Sequence, residues 1–226
     1  MKKRDMDWWC DRAWIKFGLL ITAAMTIAIL VFWDDWSTEL KVTAAMAALI
    51  PVHVVEEWVF PGGFNYQYNV ALYKSDVPDR YPMSRISDMF TNLVTTVFYV
   101  VLTAYSAYTG SVHTGILLGT LVFCCLEFFA HTMMGVRMYY MFRDRGKTTI
   151  YGPGSITAYL GFTVFAVILI RCLDGVSIGT EDILVGVGLL AFIAVVCILI
   201  PENATKSKEN ERYAFRGNGY FDRFLR

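Results

Sequence analysis

His53-Val54-Val55-Glu56-Glu57 sits inside an apolar segment running from about Leu40 to Phe60. Three ionisable groups in a stretch that reads as membrane-embedded cost about 3 kcal/mol each on insertion scales, so they need partners or a function. A second apolar segment some seventy residues on carries Glu127-Phe128-Phe129-Ala130-His131, the same residue types with their polar order reversed. The two stretches together decide the fold.

The setting is membranous. Of the 226 residues, 56% are hydrophobic and the mean hydropathy is +0.45, which is too apolar for an ordinary soluble domain and points to a polytopic all-α membrane bundle. The five cysteines show no C-x-x-C spacing, so neither a disulfide framework nor a structural zinc site is implied.

Six spans are expected, at about 15–33, 40–60, 88–108, 112–136, 155–172 and 183–200, forming one transmembrane domain over residues 1–200. Before the first lies a basic, tryptophan-rich stretch with Lys2, Lys3, Arg4 and Arg12 beside Trp8, Trp9 and Trp14, suited to the headgroup layer. The first span has no small-residue cleavage site after it, so it is kept as a helix and not as a signal peptide. Pro51 falls one turn before the His-Val-Val-Glu-Glu stretch and is expected to kink the second span and open room beside it. The connection Pro61 to Ser87 exceeds ordinary loop length and reads as an ordered cap or substrate-access lid. The tail from Pro201 reads as cytoplasmic and in part disordered.

Charge sets the orientation. Of the 20 lysines and arginines, only Lys41 and Arg171 fall on the side opposite the termini, so both termini and the two long connections are expected in the cytoplasm. The expected location is the cytoplasmic membrane of a bacterium or archaeon. At about 1.5 Å per residue, His53 lies roughly 20 Å along its helix and Glu127 roughly 22 Å along another of the same direction. Asp88, Asn92, Tyr151 and Thr157 enter the same layer from helices running the other way.

Spacing adds to depth. Residues three or four apart share a helix face, so His53 can pair with Glu56 or Glu57, and Glu127 with His131. Glu56 and Glu57 themselves diverge by about 100°, so they cannot point the same way. The expected metal ligands are His53, Glu57, Glu127, His131 and Asp88, with Asn92 hydrogen-bonded behind them and Glu56 and Tyr151 as proton-transfer groups. Imidazole with carboxylate suits iron, zinc or manganese, and this inventory has enough donors for one or two divalent ions, iron or zinc foremost. The plainer alternative is a hydrogen bond joining two helices at each motif, with Asp88 a helix cap and His113 an interfacial residue.

His53 to Glu57 resembles the signature of the HXXEE family of integral membrane proteins. Glu127-x-x-x-His131 and the Tyr151-Gly152-Pro153-Gly154 turn are similar to its other recurring elements. The resemblance spans the second to the fifth helix and implies a fold and a site; it brings no activity with it.

Three function classes follow. The first is a membrane metalloenzyme acting on a lipid or other hydrophobic molecule. It would be oxidative if iron-loaded, with a redox partner supplying electrons, or hydrolytic if a single zinc is held by two histidines and one glutamate. Oxidation is slightly preferred on the excess of carboxylates. The second is metal-free acid-base isomerisation or cyclisation by a buried glutamate, and the third a proton-coupled carrier. No nucleic-acid partner is expected, and no nucleotide-binding glycine loop is present.

Overall fold

The computed structural model of the chain describes residues 3–226, and among these it contains helices and connections but no strand. The side chains of Lys2, Lys3, Arg4 and Arg12, expected at the headgroups, lie outside the described part. A short helix α1 (Lys3–Trp8) passes through a π-helical turn (Trp9–Ala13) into α2 (Trp14–Val31). Then come α3 (Thr38–Trp58), α4 (Phe64–Ala71), α5 (Arg85–Thr109) and α6 (Thr114–Phe142), followed by α7 (Ser155–Leu173) and α8 (Thr180–Thr205). Six of them, α2, α3, α5, α6, α7 and α8, are long and apolar enough to cross a membrane.

Local chemistry fixes the ends. Ser37 Oγ accepts from Leu40 N and caps α3, and Ser84 with Ser87 caps α5. Gly110, at φ +79°, ends α5. His113 Nδ1 accepts from Gly115 N at 3.1 Å, so this histidine is the cap of α6.

Packing follows from small residues and from lipid exposure. Large side chains such as Leu20, Ile27, Leu160 and Leu184 point outward, as they must where the surrounding solvent is hydrocarbon. Close helix approach occurs at glycines: a Cβ on Gly119 would lie 2.9 Å from the Gly186 carbonyl oxygen, joining α6 to α8. Gly18 likewise admits the Pro51 ring at 3.1 Å. Pro51 thus faces α2 and α3 continues through it, with Thr22 Oγ1 donating to the Ala48 carbonyl.

Two expectations need correction. The fourth span was expected to stop near Val136, but α6 runs to Phe142, about 44 Å of helix, because nothing breaks it before Gly146. The tail from Pro201, expected in part as disordered, is ordered. α8 continues through Pro201 to Thr205, since a π-helical stretch (Phe192–Leu199) ends just before it and places the proline in a fresh first turn, where its missing N–H matters least. Beyond, Phe221 and Phe224 are buried against Tyr66, Met138 and Phe142. The aromatic content of the tail supplies the apolar area that its charge count hid.

The connection between α3 and α5 is ordered as well. It holds α4, and the amide of Asn69 donates to the carbonyls of Pro78 and Met83 while accepting from Met83 N. The tail crosses it: Tyr220 N donates to Gly62 O at 3.0 Å, and a Cβ on Gly63 would collide with Asn218 O.

Candidate metal centre

Four side chains from two helices meet at one point. On α3, His53 and Glu57 are one turn apart; on α6, Glu127 and His131 are one turn apart, and the two pairs face each other. His53 Nε2 lies 3.3 Å from Glu57 Oε1 and 3.7 Å from Glu127 Oε2. His131 Nε2 lies 3.5 Å and 3.6 Å from the same two oxygens. Each nitrogen therefore sees both oxygens, and the donor atoms of His53, Glu57 and His131 all lie within 4.8 Å of one another.

These distances discriminate between readings. Direct N–H···O bonds cluster near 2.9 Å and rarely exceed about 3.2 Å, so the four contacts are too long for a pair of helix-joining hydrogen bonds. A tetrahedron with arms of about 2.0–2.2 Å, the usual length for zinc with nitrogen and oxygen ligands, has edges of roughly 3.3–3.6 Å. The separations of both imidazole nitrogens from Glu57, 3.3 and 3.5 Å, fall on that scale, and the three-donor set of His53, Glu57 and His131 suits a divalent cation.

His53 is held from behind. Its Nδ1 lies 2.6 Å from Thr157 Oγ1, and that hydroxyl lies 2.6 Å from Glu56 Oε2. Thr157 has one proton to give, and the carboxylate can only accept it. Nδ1–H of His53 must then donate to Thr157, which leaves the Nε2 lone pair directed at the centre. An imidazole so arranged has the tautomer that metal ligation requires, fixed by an outer partner.

Glu56 is absorbed in that support. It accepts from Ile156 N at 3.0 Å, Thr157 N at 2.9 Å and the Tyr151 hydroxyl at 3.2 Å, in addition to Thr157 Oγ1. A carboxylate at the first turn of α7 also meets the positive end of the helix dipole. Glu56 and Tyr151, expected as proton-transfer groups, therefore face each other and the start of α7. Burial raises the Tyr151 phenol above its ordinary pKa. Just beyond Thr157, α7 carries a π-helical stretch (Ala158–Phe162), a distortion often found beside functional groups.

Gly154 closes the back of the site. At φ +87° it is left-handed, and a Cβ there would lie 2.2 Å from His131 Cε1 and 2.9 Å from His53 Cε1. Only glycine lets this turn press on both rings. Lys147 holds the turn from its other side, donating from Nζ to the Tyr151 carbonyl at 2.5 Å and to the Tyr220 hydroxyl at 3.3 Å, with its ammonium 4.6 Å from the Tyr220 ring. Its burial lowers its pKa.

Asp88 and Asn92 stand outside the four. Asp88 Oδ2 accepts from Trp58 Nε1 at 2.5 Å and Oδ1 from Asn92 Nδ2 at 2.8 Å. Both line the same cavity as the histidines, of about 210 Å³, whose remaining wall is largely apolar, including Ile50, Phe123, Phe162 and Ile193. Glu127 is the most open member of the centre, its side chain 25% exposed against 4% for Glu57. Among the lining residues that sequence reasoning missed are Tyr68 and Glu202, whose hydroxyl and carboxylate meet at 3.0 Å. The signal for Glu202 was an acid directly after the last apolar run.

Comparison with known families agrees with the residues. A family model described as a protein of unknown function with HXXEE motif matches residues 44–169, more than half of the chain and all of the His/Glu centre. The chain belongs to that family. No curated protein and no solved structure matches it.

Proposed function

We propose that this member of the HXXEE family is an integral membrane enzyme using one divalent metal ion to activate water against a hydrophobic substrate. His53, Glu57 and His131 hold the ion, and Glu127 serves as general base at the open side. The observation that carries the reading is the convergence of both Nε2 atoms on the same two carboxylate oxygens at 3.3–3.7 Å.

One metal position is favoured over two. Asp88, the carboxylate a second ion would need, has both oxygens taken by Trp58 and Asn92. That moves the preference from oxidative, dinuclear chemistry to water activation at a site of two histidines and one glutamate, a ligand set that leaves a coordination position free. The ion, when bound, supplies Lewis acidity to a water or carbonyl oxygen. Glu127 faces the cavity, within reach of a proton released there. Ile50, Phe123, Phe162 and Ile193 exclude bulk water and receive the apolar part of the substrate. The lysine and arginine bias supports a cytoplasmic position for both termini, and hence a site toward the cytoplasmic end of the bundle.

The test is turnover of a panel of amphiphilic esters and amides by purified protein in nanodiscs. Hydrolysis removed by chelation, restored by zinc or iron, and lost in Glu127→Gln with its metal retained supports the reading. Turnover that survives metal stripping would transfer the chemistry to a buried acid.

A further inference from the structure

The cavity that opens onto the His/Glu centre is also lined by Glu202 from α8 and Tyr68 from α4. Glu202 is only 7% exposed. Tyr68 donates to its Oε2 at 3.0 Å, while no described residue donates a hydrogen bond to Oε1. A mostly buried carboxylate whose second oxygen has no protein donor offers that oxygen as an acceptor to a polar group entering the cavity.

Charge on the wall narrows the occupant further. Among the described residues, the acidic and basic side chains lining the cavity are Glu57, Asp88, Glu127 and Glu202 with two histidines, and neither lysine nor arginine is among them. An anionic head would find neither lysine nor arginine on the wall to offset its desolvation.

We infer that the cavity selects amphiphiles whose polar group donates hydrogen bonds and carries no negative charge, amines and alcohols in place of carboxylates or phosphates, with Glu202 as the selecting residue. The inference rests on the proposal that this cavity receives the substrate. The apolar wall takes the chain, Glu202 Oε1 accepts from the ammonium or hydroxyl, and the adjoining carbon skeleton lies toward Glu127. Glu202 is a specificity-determining residue here, since it lines the cavity beside Tyr68 and is not among the donors of the centre.

The experiment compares octylamine, octanol and octanoate by calorimetry on the full chain in phosphatidylcholine nanodiscs, with empty discs subtracted, in metal-loaded and chelator-stripped protein. Octylamine is expected to bind roughly tenfold or more tighter than octanoate in the stripped protein, and this preference is expected to shrink to about threefold or less in Glu202→Gln. Tyr68→Phe, which keeps the carboxylate, retains the preference. Octanoate binding as tightly as octylamine in stripped wild type overturns the inference, as does an undiminished preference in folded Glu202→Gln. Should that variant fail to fold, the wild-type comparison alone decides. Failure of the metal reading would show instead as identical binding and turnover with and without metal, leaving the amine preference intact.

Discussion

His53 and His131 meet edge to face, their ring centroids 4.9 Å apart at 85°, with both Nε2 atoms turned to the same two carboxylate oxygens. Neither ring can turn freely: Phe162 stands 5.2 Å from the first and Phe64 5.2 Å from the second. A site clamped in this way is preorganised, and the consequences can be tested one contact at a time.

The Thr157 hydroxyl is the hinge between Glu56 and His53. Thr157→Val keeps the volume and removes the hydroxyl. Loss of such an outer partner ordinarily weakens metal affinity by about 10–100-fold. Competition with a calibrated chelator should show that drop, with Thr157→Ser close to wild type; equal affinities in all three would remove Thr157 from the account.

Gly154→Ala should be far more damaging than its size suggests. The added methyl meets both imidazoles, and the left-handed φ of +87° adds strain of about 1–3 kcal/mol on its own. Expected are a lower thermal midpoint and metal content reduced at least in proportion. Gly110→Ala, also left-handed but with open space around it, is the control and should show the strain alone.

The ordered tail is tested by Phe221→Ala. This ring is fully buried among Tyr66, Phe142 and Phe224, and phenylalanine truncations in cores cost about 3–5 kcal/mol. Faster proteolysis between Lys206 and Arg226 in the variant is the expected readout. A tail that is cut equally fast in wild type would contradict the packing described.

Metal affinity should fall on acidification. A ligating imidazole must be neutral, so protons compete with the ion as pH drops. Two histidines at one centre predict a slope steeper than one proton per metal over the acid limb. A flat profile from pH 8 to 5 would point to carboxylate-only binding.

Much of this was legible in the residues because membrane helices obey few rules. Helical spacing placed His53 with Glu57 and Glu127 with His131, and depth counting brought the pairs level, as the structure has them. The divergence of Glu56 from Glu57 was likewise foreseeable from 100° per residue. What spacing could not convey was the direction of Asp88, which turns to Trp58 because α5 begins at Arg85 and Ser84 already caps it. Nor could it tell that Glu56 would meet the N–H groups of α7, a contact across 100 residues of chain. Glu202 escaped because proline after an apolar run ordinarily stops a helix, and the π-helical stretch that lets α8 continue has no simple sequence signature.

The most direct test of the central claim is metal stoichiometry in purified protein, by elemental analysis of wild type, His53→Ala, His131→Ala and Asp88→Asn after reconstitution with zinc or iron. One ion per chain is expected in wild type and in Asp88→Asn, and background in both histidine variants. Background metal in wild type, two ions per chain, or full retention in either histidine variant would contradict it.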